Sequence, residues 1–110
     1  PVKEPDDMEL HQKRRIELII ERMAYKRACR VLEQVGVTGY TVLPSMAGFG
    51  GKNRWSRDTD ISSASDMVVI ISITDEEKAD EALEQIANIL GSHIGVVSVS
   101  DVQVLRPELF

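Results

Sequence analysis

The sequence predicts an α+β sandwich, one four-stranded sheet under two helices, from three patterns of apolar residues. They alternate along residues 15–21, recur every three to four positions along 24–35 and again along 79–89, and run almost unbroken along 67–73. A period of two belongs to a half-buried strand and a period near 3.6 to an amphipathic helix, while a short unbroken apolar run is a strand covered on both faces. With 110 residues, 43% hydrophobic and 28% charged, the chain has the size and composition of one globular domain.

Residues 1–13 contain two prolines, mixed charge and no apolar period, so they read as a flexible tail, and 14–110 as the domain. In the first strand Ile16, Leu18 and Ile20 point one way, and Arg15, Glu17 and Glu21 the other. Ala24, Ala28, Val31, Leu32 and Val35 then form a helical stripe opposite Lys26, Arg27, Arg30 and Glu33, and Gly36 ends it. The β-branched and aromatic residues over 37–43 predict a second strand running into Pro44. The third strand is 67–73. Thr74 and Glu77 have the spacing of a capping box, starting a helix whose stripe is Ala79, Ala82, Leu83, Ile86 and Ile89, closed by Gly91. The valine-rich stretch 96–105 is the last strand, ended by Pro107.

Strand, helix, strand, strand, helix, strand is the ferredoxin-like βαββαβ order, in which both helices cover one sheet face. Residues 67–73 carry Met67, Val69, Ile71 and Ile73 as well as Val68 and Ile70, more apolar surface than one helical layer covers. Burial against further copies of the chain would account for the excess; the alternative is an unusually apolar exposed sheet.

A net charge of −5 argues against nucleic acid as the main partner, since phosphate contacts need clustered Lys and Arg. No apolar run approaches the roughly 20 residues of a membrane-spanning helix, so direct membrane insertion is not expected. The single cysteine, Cys29, forms no internal disulfide, and no charged-then-apolar leader opens the sequence; a reducing cytoplasm is the expected location. Beside Ala28 on the first helix, Cys29 reads as a packing residue. Two histidines and one cysteine scattered along the chain make no metal site.

The segment GYTVLPSMAGFGGKNRWSRDTD, residues 39–60, is the place for chemistry. Gly48, Gly50 and Gly51 let main-chain N–H groups approach a ligand, and Lys52, Arg54 and Arg57 put positive charge beside them, so phosphate is the natural guest. Arg54 and Arg57 either reach back to that phosphate, at roughly 1.5–3 kcal/mol per contact when partly desolvated, or stay solvated. Trp55 is either a partner anchor or packs on its own loop. His93, in the short turn before the last strand, either touches phosphate or is an ordinary turn residue.

The run Gly36-Val-Thr-Gly39-Tyr-Thr41-Val42 followed by Gly48-Phe49-Gly50 resembles the signature of the PII signalling proteins, where it leads to the base of the T-loop. Ile94-Gly95-Val96-Val97-Ser98-Val99 through Val104-Leu105-Arg106 resembles the B-loop, last strand and start of the C-terminal segment of the same superfamily. The similarity is greatest to the PII-like proteins tied to inorganic carbon uptake and carboxysomes. The resemblance implies a ferredoxin-like homotrimer with a long flexible T-loop, here about 48–65, that binds adenine nucleotides between subunits. Thr41 would contact the adenine, and Gly48, Phe49, Gly50, Gly51 and Lys52 would line the cleft. Ser63 and Ala64 match the strand edge that reads the base, Gly95 and Val96 match the B-loop, and Arg106 takes the place of a phosphate-binding arginine.

The nitrogen-control members carry a lysine in a longer B-loop, whereas this chain has only Gly91-Ser-His-Ile-Gly95-Val-Val. A γ-phosphate would lose its main cation, so ADP or AMP is expected over ATP, with cyclic AMP as a further candidate. The relatives imply bicarbonate as a second ligand, and a bicarbonate transporter or carboxysome component as the partner. Residues 51–65 contain no tyrosine, which removes the uridylylation known from enterobacterial members. No prosthetic group and no enzymatic activity are expected. Two other classes share the element order. An amino-acid-sensing ACT-like module gives no reason for the basic glycine loop, and an acylphosphatase-like hydrolase needs an anion cradle after the first strand, where Glu21-Arg22-Met23-Ala24 has no glycine.

Overall fold

The computed structural model describes residues 8–50, 53–56, 67–106 and 108, with the backbone alone at 50 and 53–56. In order these form β1 (His11–Glu21), α1 (Arg22–Val35), β2 (Thr41–Pro44), β3 (Ala47–Gly50), β4 (Asn53–Ser56), β5 (Met67–Thr74), α2 (Glu76–Leu90) and β6 (Gly95–Val104). Four strands make an antiparallel sheet in the order β2-β5-β1-β6, and β3 and β4 pair separately as a hairpin. This is the ferredoxin-like α+β sandwich that the element order predicts.

The alternation of β1 sets the two faces. Ile16, Leu18 and Ile20 are essentially inaccessible and lie opposite Ser72, Ile70 and Val68 of β5, which point to the same side. Both helices close over this side through small residues: Ala24 and Ala28 of α1 and Ala79 and Ala82 of α2 have no exposed surface. The short side chains let the backbones approach the sheet, while Leu32, Ile86 and Ile89 fill the space between. Gly36 closes α1 in the left-handed conformation, φ 89°, its N–H on the Leu32 carbonyl, as a Gly after the helical stripe requires. On the opposite face Ile19, Val69, Ile71 and Ile73 are only half-buried, and Leu43 and Val96 are exposed. The apolar excess of the third strand is therefore left open on a single chain.

Four local expectations change. β1 starts at His11, so residues 11–13 of the expected tail are strand, with His11 opposite Val104 in β6. Their ladder partner comes from the far end of the chain, which local composition does not reveal. β2 spans only Thr41–Pro44; residues 37–40 connect it to α1 and are tied down by the Ser72 hydroxyl, which donates to the Gly39 carbonyl at 2.7 Å. The cap of α2 is Asp75, whose carboxylate accepts from the Lys78 N–H at 2.9 Å, while Thr74 completes β5 with no exposed surface. Inside the long loop, β3 and β4 pair from Ala47↔Ser56 to Gly50↔Asn53, so its first part contains a strand pair. No helix among the described residues is long and apolar enough to cross a membrane.

Candidate functional site

One end of the sheet gathers the segments that the sequence reading singles out. Here β2 ends at Pro44 opposite Val68, β1 ends at Glu21 opposite Met67, and β6 begins at Gly95 opposite Ile20. The Ser45 N–H reaches the Met67 carbonyl at 3.1 Å, which clamps the start of the loop to the strand that follows it. A shallow cleft of about 230 Å³ opens beside this point, between Arg22 and Tyr25 of α1 and Val42 and Pro44 of β2.

The turn between α2 and β6 is held from below by one carboxylate. Glu21 is 9% exposed; its Oε1 accepts from the Ile94 N–H at 3.1 Å and from His93 Nδ1 at 2.8 Å, while its own N–H donates to the Ile94 carbonyl at 3.1 Å. His93 Nε2 faces the Arg27 guanidinium at 3.3 Å. A carboxylate only accepts and a guanidinium only donates, so the Nδ1–H tautomer satisfies both contacts. His93 is therefore committed to two protein partners, and is neither a simple turn residue nor an open phosphate contact. Gly95 packs so closely that a Cβ there would stand 2.7 Å from Leu90 Cδ2 and 2.9 Å from the Ile19 carbonyl oxygen. The glycine is required by packing behind the turn. Nothing local in the sequence singles out Glu21 and Arg27, because their partner lies 72 and 66 residues away respectively.

Thr41 is exposed on the edge strand β2, opposite Ile71. Gly48 and Phe49 lie in β3 across from Trp55 and Arg54, with Phe49 72% exposed. Gly50 continues β3. Gly95 and Val96 open β6, and Val96 is 58% exposed. Arg106 lies just beyond the other end of that strand, exposed, its Nε 3.5 Å from Glu108. At about 3.3 Å per residue, Arg106 is roughly 35 Å from Gly95. A single chain thus brings Gly95 and Val96 to the end of the sheet where the loop departs, and holds Arg106 far away. Gly51, Lys52, Ser63 and Ala64, together with Arg57, lie outside the described residues, and Arg54 and Trp55 are described by their backbone alone.

Cys29 is 8% exposed on the inner side of α1. Burial pushes its thiol up, with a smaller opposing influence of the neighbouring Tyr40, so the thiolate is scarce and the residue packs, as its position beside Ala28 predicts. Tyr40 donates its hydroxyl to Glu33, and that hydrogen bond pushes the phenol above its ordinary range. No three His, Cys, Asp or Glu side chains cluster to hold a metal among the described residues.

A family model of nitrogen regulatory protein P-II matches residues 13–109. The chain belongs to the P-II family. No curated protein sequence matches it. Among solved structures it is similar to CPII, a nitrogen regulatory PII-like protein from Thiomonas intermedia K12 bound to ADP, AMP and bicarbonate. The identity is 29% and the TM-score 0.82, over 91% of this chain and 94% of that one. The apo form of CPII superposes with a TM-score of 0.66, at 29% identity, over 87% of this chain and 95% of that one. The GlnK–ATP complex of B. subtilis, 16% identical with a TM-score of 0.59 over 83% of this chain and 82% of that one, shares the fold. The chain is thus a PII-like protein of a regulatory family.

Proposed function

We propose that this P-II family chain is a cytoplasmic, non-enzymatic sensor of adenine nucleotides. It holds ADP or AMP more tightly than ATP, in clefts between the subunits of a homotrimer. The nucleotide state changes the order of residues 48–65, and with it the affinity for a partner in bicarbonate uptake or carboxysome metabolism. The observation that carries this reading is the separation of Gly95 from Arg106 along β6. On this reading the B-loop end of β6 and Arg106 serve one nucleotide, and their separation in one chain is what a site shared with a neighbouring copy would need.

Three further features support the reading. The apolar face formed by Ile19, Val69, Ile71 and Ile73 is half-buried in the single chain and suits burial against other copies. The turn 91–95 itself carries no lysine to meet a γ-phosphate, and its histidine is bonded to Glu21 and Arg27. CPII, at 29% identity, was solved with ADP, AMP and bicarbonate bound. On this reading Thr41, Gly48, Phe49, Gly50, Gly51, Lys52, Arg54, Ser63, Ala64, Gly95, Val96 and Arg106 form the nucleotide site, with bicarbonate as a second ligand.

Titration calorimetry with ATP, ADP, AMP, cyclic AMP and bicarbonate tests it, alongside the mass in solution. ADP and AMP binding more tightly than ATP, by a protein with the mass of three chains, supports the reading. A monomer at high concentration, or no heat with any adenylate, sinks it. Arg106→Ala in the trimer should weaken ADP while leaving the mass unchanged.

A further inference from the structure

On the face turned away from the sheet, α1 and α2 flank an open groove of about 340 Å³. Arg27, Arg30 and Gln34 line one wall at spacings of three and four, so they form a single row along α1; Gln85 and Asn88 form the facing row on α2. The floor is apolar, made by Val31 and Ile89. Among the described residues no aspartate or glutamate lines this cleft, although the chain as a whole carries a net charge of −5. Among the described residues Arg30 has no hydrogen bond or ion pair, and Arg27 meets the Nε2 ring nitrogen of His93 rather than a carboxylate. Two guanidinium groups therefore line a groove that holds no carboxylate partner for them among the described residues.

We propose that this cleft is a second ligand site, which takes a small organic dianion and draws Arg27 away from His93. Side chains three residues apart on a helix stand about 5–6 Å from one another at Cβ, so Arg27 and Arg30 can close on one dianion, each offering a planar fork to a pair of anionic oxygens. The amides of Gln34, Gln85 and Asn88 both donate and accept, and serve hydroxyl or carbonyl substituents on the ligand. A dianion offers the guanidinium an opposite charge and a bidentate pair of acceptors, neither of which the single ring nitrogen of His93 provides, so Arg27 leaves the His93 ring when the cleft fills. His93 then keeps only its Glu21 contact, and the turn leading to Gly95 is held by one restraint fewer. Dicarboxylates and phosphate esters share the required chemistry.

The test is a nuclear magnetic resonance titration of the whole chain with malonate and with inorganic phosphate, with acetate as a monoanion control, all at constant ionic strength because exposed charges are screened by salt. Saturable movement of the Gln85 and Asn88 side-chain amide signals with either dianion, together with the His93 ring signals, supports the proposal. Malonate binding more tightly identifies a dicarboxylate, and phosphate binding more tightly a phosphate ester. Arg30→Gln, an exposed substitution whose fold the same spectra check, should weaken binding about tenfold, the equivalent of one charge-assisted hydrogen bond. Shifts that do not saturate, or equal affinity in the Arg30→Gln protein, would overturn the site. His93 signals that stay fixed while the cleft saturates would overturn the link through Arg27.

Discussion

Glu21 and His93 meet at 2.8 Å across the end of the sheet, although 72 residues separate them in the chain. The carboxylate closes β1 and the imidazole belongs to the turn that opens β6, so the contact fastens the second half of the fold to the first. Glu21→Ala would leave the Ile94 N–H and His93 Nδ1 without their acceptor in a largely buried place. The expected cost is about 1.5–3 kcal/mol, the range of a hydrogen bond to a charged group, read from urea unfolding. Glu21→Gln keeps one acceptor and should cost less. Equal losses in the two variants would argue against the carboxylate as the fastener.

Gly95→Ala should be destabilising by about 1–3 kcal/mol, as overpacking usually is. The Leu90 methyl at 2.7 Å can swing away, but the Ile19 carbonyl oxygen at 2.9 Å belongs to the central strand and cannot. Thermal unfolding of the variant measures this, and an unchanged midpoint would show that the β1–β6 pair yields more readily than a paired strand should.

Alkaline pH should weaken the fold. Cys29 rises from the ordinary thiol value of 9.0 because of burial, and Tyr40 from 10.0 mainly because its hydroxyl is bonded to Glu33. In both cases the folded chain holds the proton longer than the unfolded chain. The associated stability is complete below about pH 9 and falls as the pH climbs towards the folded-state values. Urea midpoints between pH 8 and 10.5 read the trend, which should be shallower in Tyr40→Phe. A midpoint that rises with pH would contradict the assignment. Native Cys29 should also react with thiol reagents much more slowly than the same thiol in urea.

Arg14 faces three carboxylates, Asp101 at 2.7 Å, Glu76 at 3.0 Å and Asp80 at 3.7 Å, and so joins β1, α2 and β6 at the end of the sheet away from the loop. Arg14→Met should cost about 1 kcal/mol at low salt, a modest figure because the acidic partners are well exposed. Most of that loss should vanish in 1 M salt, where the Debye length is about 3 Å. A cost independent of salt would assign it to the packing of the arginine stem instead.

The elements that read correctly from sequence are those whose period is set by their own residues. Ile16, Leu18 and Ile20 alternate because every second position of β1 meets the core, and Ala24, Ala28 and Leu32 recur because one face of α1 does. Where a distant partner decides the outcome, local reading fails. Residues 11–13 look like a tail until β6 pairs with them, and Thr74 looks like a cap until the strand ladder claims it and Asp75 takes the role. Glu21 looks like any charge on the polar side of a strand, yet it is the acceptor that holds the turn before β6.

The order of the four sheet strands and two helices, the amphipathic stripes, the glycine-rich basic segment and the PII resemblance were all determined by the sequence alone, because each depends on neighbours a few residues apart. The tertiary structure alone decided that Glu21, His93 and Arg27 form one chain of contacts, that Arg27 and Arg30 share a cleft with Gln85 and Asn88, and that Arg106 stands far from Gly95. Those relationships depend on strand pairing and helix packing between segments distant in the chain, and no local period records which distant segment will supply the other half of a contact.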